Sequence, residues 1–323
     1  VGGAGSLLGV FLGGTLTDVL GWQSVFWTPV PIGAIGAVIV WRSAPTVPGR
    51  PGRFDTLGAI TITVGICALA LGMVSASDAG WDAPGTLAGL ALGVAALVAF
   101  VAVERRSAHP LVPLGVFRRK PVVTANLMML LIGGALVSLF FFLPLYQQEE
   151  LGMSALASGM SQLPIAVMII AGSAAAPVLA KRVGLTRAQP VALVVLLAGF
   201  VWLALDPTTS GFSLSLLGAF LLIGTGLGLG AVNATAMAVR DSAEGESGLL
   251  SGLVSAAQQL GGAVGLAALA GIAVGSAGTH SDIAFTTAFL GEAALVVIAL
   301  ALSLIPTGRS NPVPDTQLQG KGV

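Results

Sequence analysis

Long runs of apolar residues, separated by short polar interruptions, extend from the start of the chain to about residue 305. A helix needs about 20 predominantly apolar residues to cross roughly 30 Å of hydrocarbon. Ten segments meet that pattern: 2–18, 25–42, 56–76, 84–103, 122–146, 157–180, 188–205, 213–239, 249–275 and 284–305. Membrane β-strands would instead alternate apolar and polar positions in segments of about ten, which these runs do not. The pattern predicts an all-α polytopic membrane protein with ten transmembrane helices.

Basic residues orient the spans, because cytoplasmic loops retain Lys and Arg. Arg42, Arg50 and Arg53 follow the second span, and Arg105, Arg106, Arg118, Arg119 and Lys120 follow the fourth. Lys181, Arg182 and Arg187 follow the sixth, Arg240 the eighth, and Arg309 and Lys321 lie in the tail, which accounts for all 14 basic residues. The remaining loops carry only acids: Asp18, Asp78, Asp82, Glu149, Glu150, Asp206 and Asp282. This partition predicts a multi-pass protein of the plasma (inner) membrane with both ends cytoplasmic. Trp22, Trp41, Trp81 and Trp202 fall near span ends, as an aromatic belt requires.

Composition agrees. Of 323 residues, 55% are hydrophobic and 9% charged, and mean hydropathy is +0.95, whereas soluble chains carry roughly 25% charged residues. A formal net charge of zero gives no electrostatic footprint for nucleic acid. The single cysteine, Cys67, precludes an intrachain disulfide, and His109 and His280 fall in different loops, so no metal site is predicted. No H-E-x-x-H, paired Asp or Ser/His arrangement lies within a span, which argues against an intramembrane enzyme. The chain opens at Val1 in an apolar stretch without a charged leader segment, and the expectation is that it begins mid-protein.

Most of the 45 glycines lie in the spans, where small residues let helix backbones approach. Gly5, Gly9 and Gly13 recur on one face of the first span as a packing seam. Gly224, Gly226, Gly228 and Gly230 form a GxGxxG-like pattern, but they follow an apolar helix rather than the strand a dinucleotide loop requires. The expectation for this span is a pliable helix.

Four stretches carry a family resemblance: GSLLGVFLGGTLTDVLGWQSVFW (Gly5 to Trp27), FRRKPVV (Phe117 to Val123), FFFLPLYQQEELGMSALASGMSQLP (Phe140 to Pro164) and GLLSGLVSAAQQLGGAVGLA (Gly248 to Ala267). Together they resemble the fourteen-span drug/proton antiporter branch of the major facilitator superfamily. The first is similar to the antiporter signature, placing Gly5, Gly9, Gly13, Gly14 and Asp18 on the antiporter-motif helix. Val10 stands where the family usually has proline, and Gly21-Trp22-Gln23-Ser24 where it has GWRW.

The resemblance implies a division of the chain. Residues 1–42 would be the last two helices of the N-terminal half, 43–55 a cytoplasmic linker and 56–104 an inserted helix pair. Residues 105–121 would be a second cytoplasmic linker, 122–306 the six-helix C-terminal half and 307–323 a disordered cytoplasmic tail. Four core helices needed for function would precede Val1. In such proteins the substrate path lies between two halves around a midplane site.

Polar groups within hydrocarbon need a partner or a cavity. Glu292 lies about 12 Å into the last span, taking roughly 1.5 Å per residue. A lone carboxylate there must be protonated or paired, which makes it the candidate for proton coupling, with a structural carboxyl as the alternative. The resemblance places the fifth and eighth predicted spans along the cavity. Asn126, Ser138, Tyr146 and Gln147 of the fifth, Thr225, Asn233 and Thr235 of the eighth, and the flanking Gln162, Gln258 and Gln259 are the cavity candidates. Interhelical hydrogen bonding is the competing role for each. Asp241, Glu244 and Glu246, beside Arg240, read as a solvated acidic turn, with a gating salt-bridge cluster as the alternative.

The implied function is proton-driven export of lipophilic drugs or secondary metabolites by alternating access, with the bilayer and a small lipophilic substrate as partners. The proton gradient would drive it, without a cofactor. A transport-inactive fragment and an uptake symporter on the same fold are the alternatives.

Overall fold

A computed structural model of the chain describes residues 21, 23–43, 55–80, 82–107, 110–206, 211–240, 242, 246–276 and 284–305. The first predicted span, with Gly5, Gly9, Gly13, Gly14 and Asp18, lies outside the described residues. So do Trp22, Trp81, His109, His280, Asp241, Glu244, nearly all of the first linker and the tail.

Among the described residues every regular element is helical. A single turn, Ser24–Trp27, leads into α1 (Pro29–Ser43). Then come α2 (Thr56–Ala79), α3 (Pro84–Arg106), a 3-10 turn (Leu114–Arg118) and α4 (Lys120–Glu149). The chain continues through α5 (Ala155–Ser161), α6 (Leu163–Val183), α7 (Leu185–Ala204), α8 (Leu214–Val239), α9 (Ser247–Ser276) and α10 (Phe285–Ser303).

Eight helical stretches among the described residues are long and apolar enough to cross a membrane, taking α5 and α6 together as Ala155–Val183. They coincide with the third to tenth predicted spans. At 15 residues, α1 falls short of the roughly 20 that a crossing needs.

Local chemistry sets the boundaries. Asp55 caps α2 by accepting the Gly58 N–H at 2.8 Å, and Ser213 caps α8 by accepting that of Leu216 at 3.1 Å. These contacts satisfy backbone donors that a helix start leaves bare. Pro84, Pro121 and Pro164 sit in first turns, where the missing N–H costs nothing. Gly184, at φ +84°, ends α6 and admits α7 at once, a left-handed turn that only glycine makes cheaply.

The core lies in the unit formed by α4 to α10. α4 packs against α8, α9 and α10; α8 packs against α6 and α7; α10 also packs against α7. Phe142, Phe200, Phe220 and Phe289 are fully buried at its centre. α2 and α3 pair with each other, and α2 leans on α9.

Since lipid supplies no hydrophobic force between helices, the closest contacts run through glycine. Gly133 of α4 faces the Gln258 carbonyl of α9, leaving no room for a Cβ, and Gly134 sits tightly against the Gly261 carbonyl. In α8, Gly224 and Gly228 abut the Ile165 and Ile169 carbonyls of α6, while Gly226 meets Leu196 of α7. The glycine pattern of this span is thus a two-sided packing surface within one continuous helix.

The segment between α3 and α4 is ordered where described. Glu104, only 4% exposed, accepts the N–H groups of Leu111 at 3.2 Å and Val112 at 3.4 Å. Val116 is buried against Val122 and Leu250, with Val112, Val239 and Leu253 around them. The predicted linker is therefore a strap laid across the end of the bundle.

Candidate functional site

On α10 the buried residues Phe285, Phe289, Glu292, Val296, Ala299 and Ser303 recur at alternating intervals of four and three, one face of a helix. Glu292 is fully buried on that face, and neither carboxyl oxygen has a hydrogen-bond partner. A buried carboxylate demands donors or a counter-charge, and neither is in place.

Ser138 of α4 is also fully buried, with an unpartnered hydroxyl. Tyr146, two turns further along α4, lies against the rings of Phe285 and Phe289, each with its centroid at 5.6 Å. Tyr146 and the Glu292 face of α10 thus meet along the seam between α4 and α10, and Ser138 lies on the same helix as Tyr146.

Gln147 and Gln162 belong to a separate cluster. Gln147 Oε1 accepts from the Ser158 hydroxyl at 2.8 Å and from Gln162 Nε2 at 3.2 Å. Its own Nε2 donates to Ser161 Oγ at 2.7 Å. This network ties the far end of α4 to the break at Gln162 between α5 and α6. Both glutamines are buried, and their amides are engaged with protein.

The other candidates are dispersed. Asn126 donates to the Val122 carbonyl at 2.8 Å, Thr225 to Leu221 at 2.6 Å and Thr235 to Ala231 at 2.9 Å, each within its own helix. Asn233 is buried, with its Nδ2 bare. On α9, Gln258 is half-buried and Gln259 exposed. Two of the cavities among the described residues, of about 400 and 330 Å³, lie along α2 and α3, and no candidate lines them.

Three features went unmarked in the sequence reading. Gln189 of α7 is fully buried with Oε1 unpartnered, its Nε2 touching Met128 Sδ at 3.8 Å. Arg119 pairs with Glu246 through two bonds, 2.7 and 3.2 Å, joining the starts of α4 and α9. Glu246, expected in a solvated turn, is about two-thirds buried in that pair. Ser158 completes the Gln147 network. A serine or glutamine inside an apolar run is the one sequence signal for the first and last. The ion pair spans 127 positions and leaves no local mark.

Known proteins supply the context. The family model of the Major Facilitator Superfamily matches residues 1–266. The chain is 34% identical to the cephamycin export protein of Amycolatopsis lactamdurans, over 97% of its own length and 66% of the relative's. It is 30% identical to the tetracenomycin C resistance and export protein of Streptomyces glaucescens, over 83% and 50%. It is 34% identical to a puromycin resistance protein of Streptomyces alboniger, over 87% and 56%. The chain thus spans about half to two thirds of the length of these relatives. With its apolar helices and a family match over most of its length, the chain is a multi-pass membrane protein of the major facilitator superfamily.

Proposed function

We propose that this chain forms part of an exporter that moves lipophilic small molecules, antibiotics or secondary metabolites, out across the plasma membrane in exchange for protons. The similarity to antibiotic export and resistance proteins along nearly the whole chain carries this reading. Four further helices preceding Val1 would complete the N-terminal half, and the transport path would lie between the halves, opening to each side in turn.

Glu292 is the group that would carry the proton. It is the described acid most completely withdrawn from solvent, and both its oxygens are bare. Such a carboxyl can take up a proton on one side and release it on the other if alternating access brings water to it. Cargo would be held by weakly specifying groups on the α9 face that carries exposed Gln259, since mixed apolar and amide surfaces suit lipophilic ligands of varied shape. The basic end of each helix, marked by Arg119, Lys181 and Arg240, would face the cytoplasm.

The test is transport by the full-length protein in inverted membrane vesicles. Cargo accumulation should require an imposed pH gradient and should lose that dependence in Glu292→Gln. Accumulation that persists after the gradient is collapsed refutes proton coupling, and an unaltered Glu292→Gln variant refutes the assignment of the acid. Cysteine labelling beside Arg119 from outside the cell would overturn the orientation.

A further inference from the structure

Two fully buried polar groups with no partner, Glu292 and Ser138, occupy corresponding positions on antiparallel helices. Gly134 of α4 lies close to Leu295 of α10: a Cβ added to the glycine would come within 3.2 Å of Leu295 Cδ1. Further along the seam, Tyr146 rests on Phe285 and Phe289. Ser138 lies one turn beyond Gly134 toward Tyr146, and Glu292 lies one turn beyond Leu295 toward Phe289. Each is bracketed along its helix, and around it, by residues that touch the opposite helix.

The hydroxyl itself supports this. Hydroxyl side chains in helices commonly donate to the carbonyl one turn back, as Thr61, Thr63, Thr225 and Thr235 do here. Ser138 makes no such bond, and in this structure it makes none to Glu292 either, so the pairing requires a rotation of one or both side chains.

From this geometry we infer that Ser138 is the positioning partner of Glu292, so that the two form a proton-binding pair within the α4–α10 seam, apart from the surface that meets cargo. The assignment rests on the proton-coupled export proposed above. A serine hydroxyl both donates and accepts. With the acid protonated, the Glu292 O–H donates to Ser138 Oγ. On release the proton passes to water, and the Ser138 O–H turns to donate to the carboxylate. Among the described residues packed against α10, α9 carries no titratable side chain, α7 carries only Arg187, and α4 carries Lys120 and Glu149 at its ends and Tyr146 two turns away.

A proton site in this seam shares no side chain with exposed Gln259 on α9, so proton and cargo influence each other through movement of α4 and α10 rather than by competing for one carboxylate. Coupling of this kind needs an element that both ligands bias.

Infrared difference spectroscopy on the full-length protein, titrated with pH, tests the pairing directly. The carboxylic acid carbonyl band abolished by Glu292→Gln belongs to this group. Ser138→Ala and Ser138→Cys should shift that band, and Ser138→Thr should leave it in place. In vesicles, Ser138→Ala should move the pH of half-maximal export by about half a unit to one unit, the equivalent of one hydrogen bond. The same substitution should have no effect in the Glu292→Gln background. A band that Ser138→Ala leaves unmoved, or the absence of any Glu292-dependent acid band, overturns the pairing. Export indifferent to the pH gradient overturns the transport reading instead, and the band comparison still decides the pairing.

Discussion

Gly226 and Gly230 stand one turn apart on α8 and should respond oppositely to the same substitution. A Cβ on Gly226 would lie 2.6 Å from the Cα, the Cβ and the backbone N of Leu196. Carbon atoms rest about 3.5–4.0 Å apart, so α7 and α8 would have to separate by roughly an ångström at their closest point. Overpacking of that kind costs about 1–3 kcal/mol. Exchanging glycine for alanine inside a helix returns about 0.8–1.0 kcal/mol, so Gly226→Ala should be destabilising by up to about 2 kcal/mol. At Gly230 the nearest atom is Ile132 Cδ1 at 3.5 Å, the flexible end of a side chain in ordinary contact. Gly230→Ala should therefore keep its helix gain and match or exceed the parent. Thermal unfolding of the two variants in one detergent measures the difference. Leu196→Ala should not rescue Gly226→Ala, because the three crowding atoms remain after truncation. Equal midpoints for the two glycine variants, or rescue by Leu196→Ala, would refute a seam set by backbone approach.

Other positions give independent checks. Gln147→Leu leaves the buried Ser158 hydroxyl without its acceptor, while Ser161 and Gln162 keep the Ser158 carbonyl; one buried unpaired group costs about 1–3 kcal/mol, so the unfolding midpoint should fall below that of exposed Gln148→Leu. Arg119→Ala and Glu246→Ala should show a coupling of about 0.2–1 kcal/mol in a double-mutant cycle, as for exposed pairs; high salt should weaken it, and a cycle that sums without coupling would show the pair to be energetically idle. Gln189→Leu removes a buried acceptor that has no donor and should leave stability unchanged or raised, so a loss of more than about 1 kcal/mol would reveal a partner for Oε1.

Helix positions were legible in the chain because hydrocarbon permits few alternatives. The run predicted over 122–146 is α4, Lys120–Glu149, and that over 284–305 is α10, Phe285–Ser303. Helix faces were not legible. In water a polar stripe marks the outside of a helix, but lipid is as apolar as the core, and between Thr287 and Ser303 α10 is apolar on every side except at Glu292. Position along the span identified Glu292 as buried; nothing in the sequence placed Ser138 opposite it. The cavity candidates divide for the same reason. Asn126 and Thr225 are polar residues that bond to their own helix, whereas Gln147 and Gln162 bond across helices, and spacing alone does not distinguish the two. The acidic turn was misjudged at Glu246, because its partner Arg119 is set beside it only when α4 and α9 run side by side.

The carboxylate of Glu104 fastens the main chain at Leu111 and Val112 a few residues after α3 ends, and Val116 is then wedged under Leu250 at the head of α9. Those contacts pin the described part of the connection at both ends. Through that fastening, a tilt of α4 or α9 is passed on to α2 and α3 rather than leaving them as separate passengers in the bilayer.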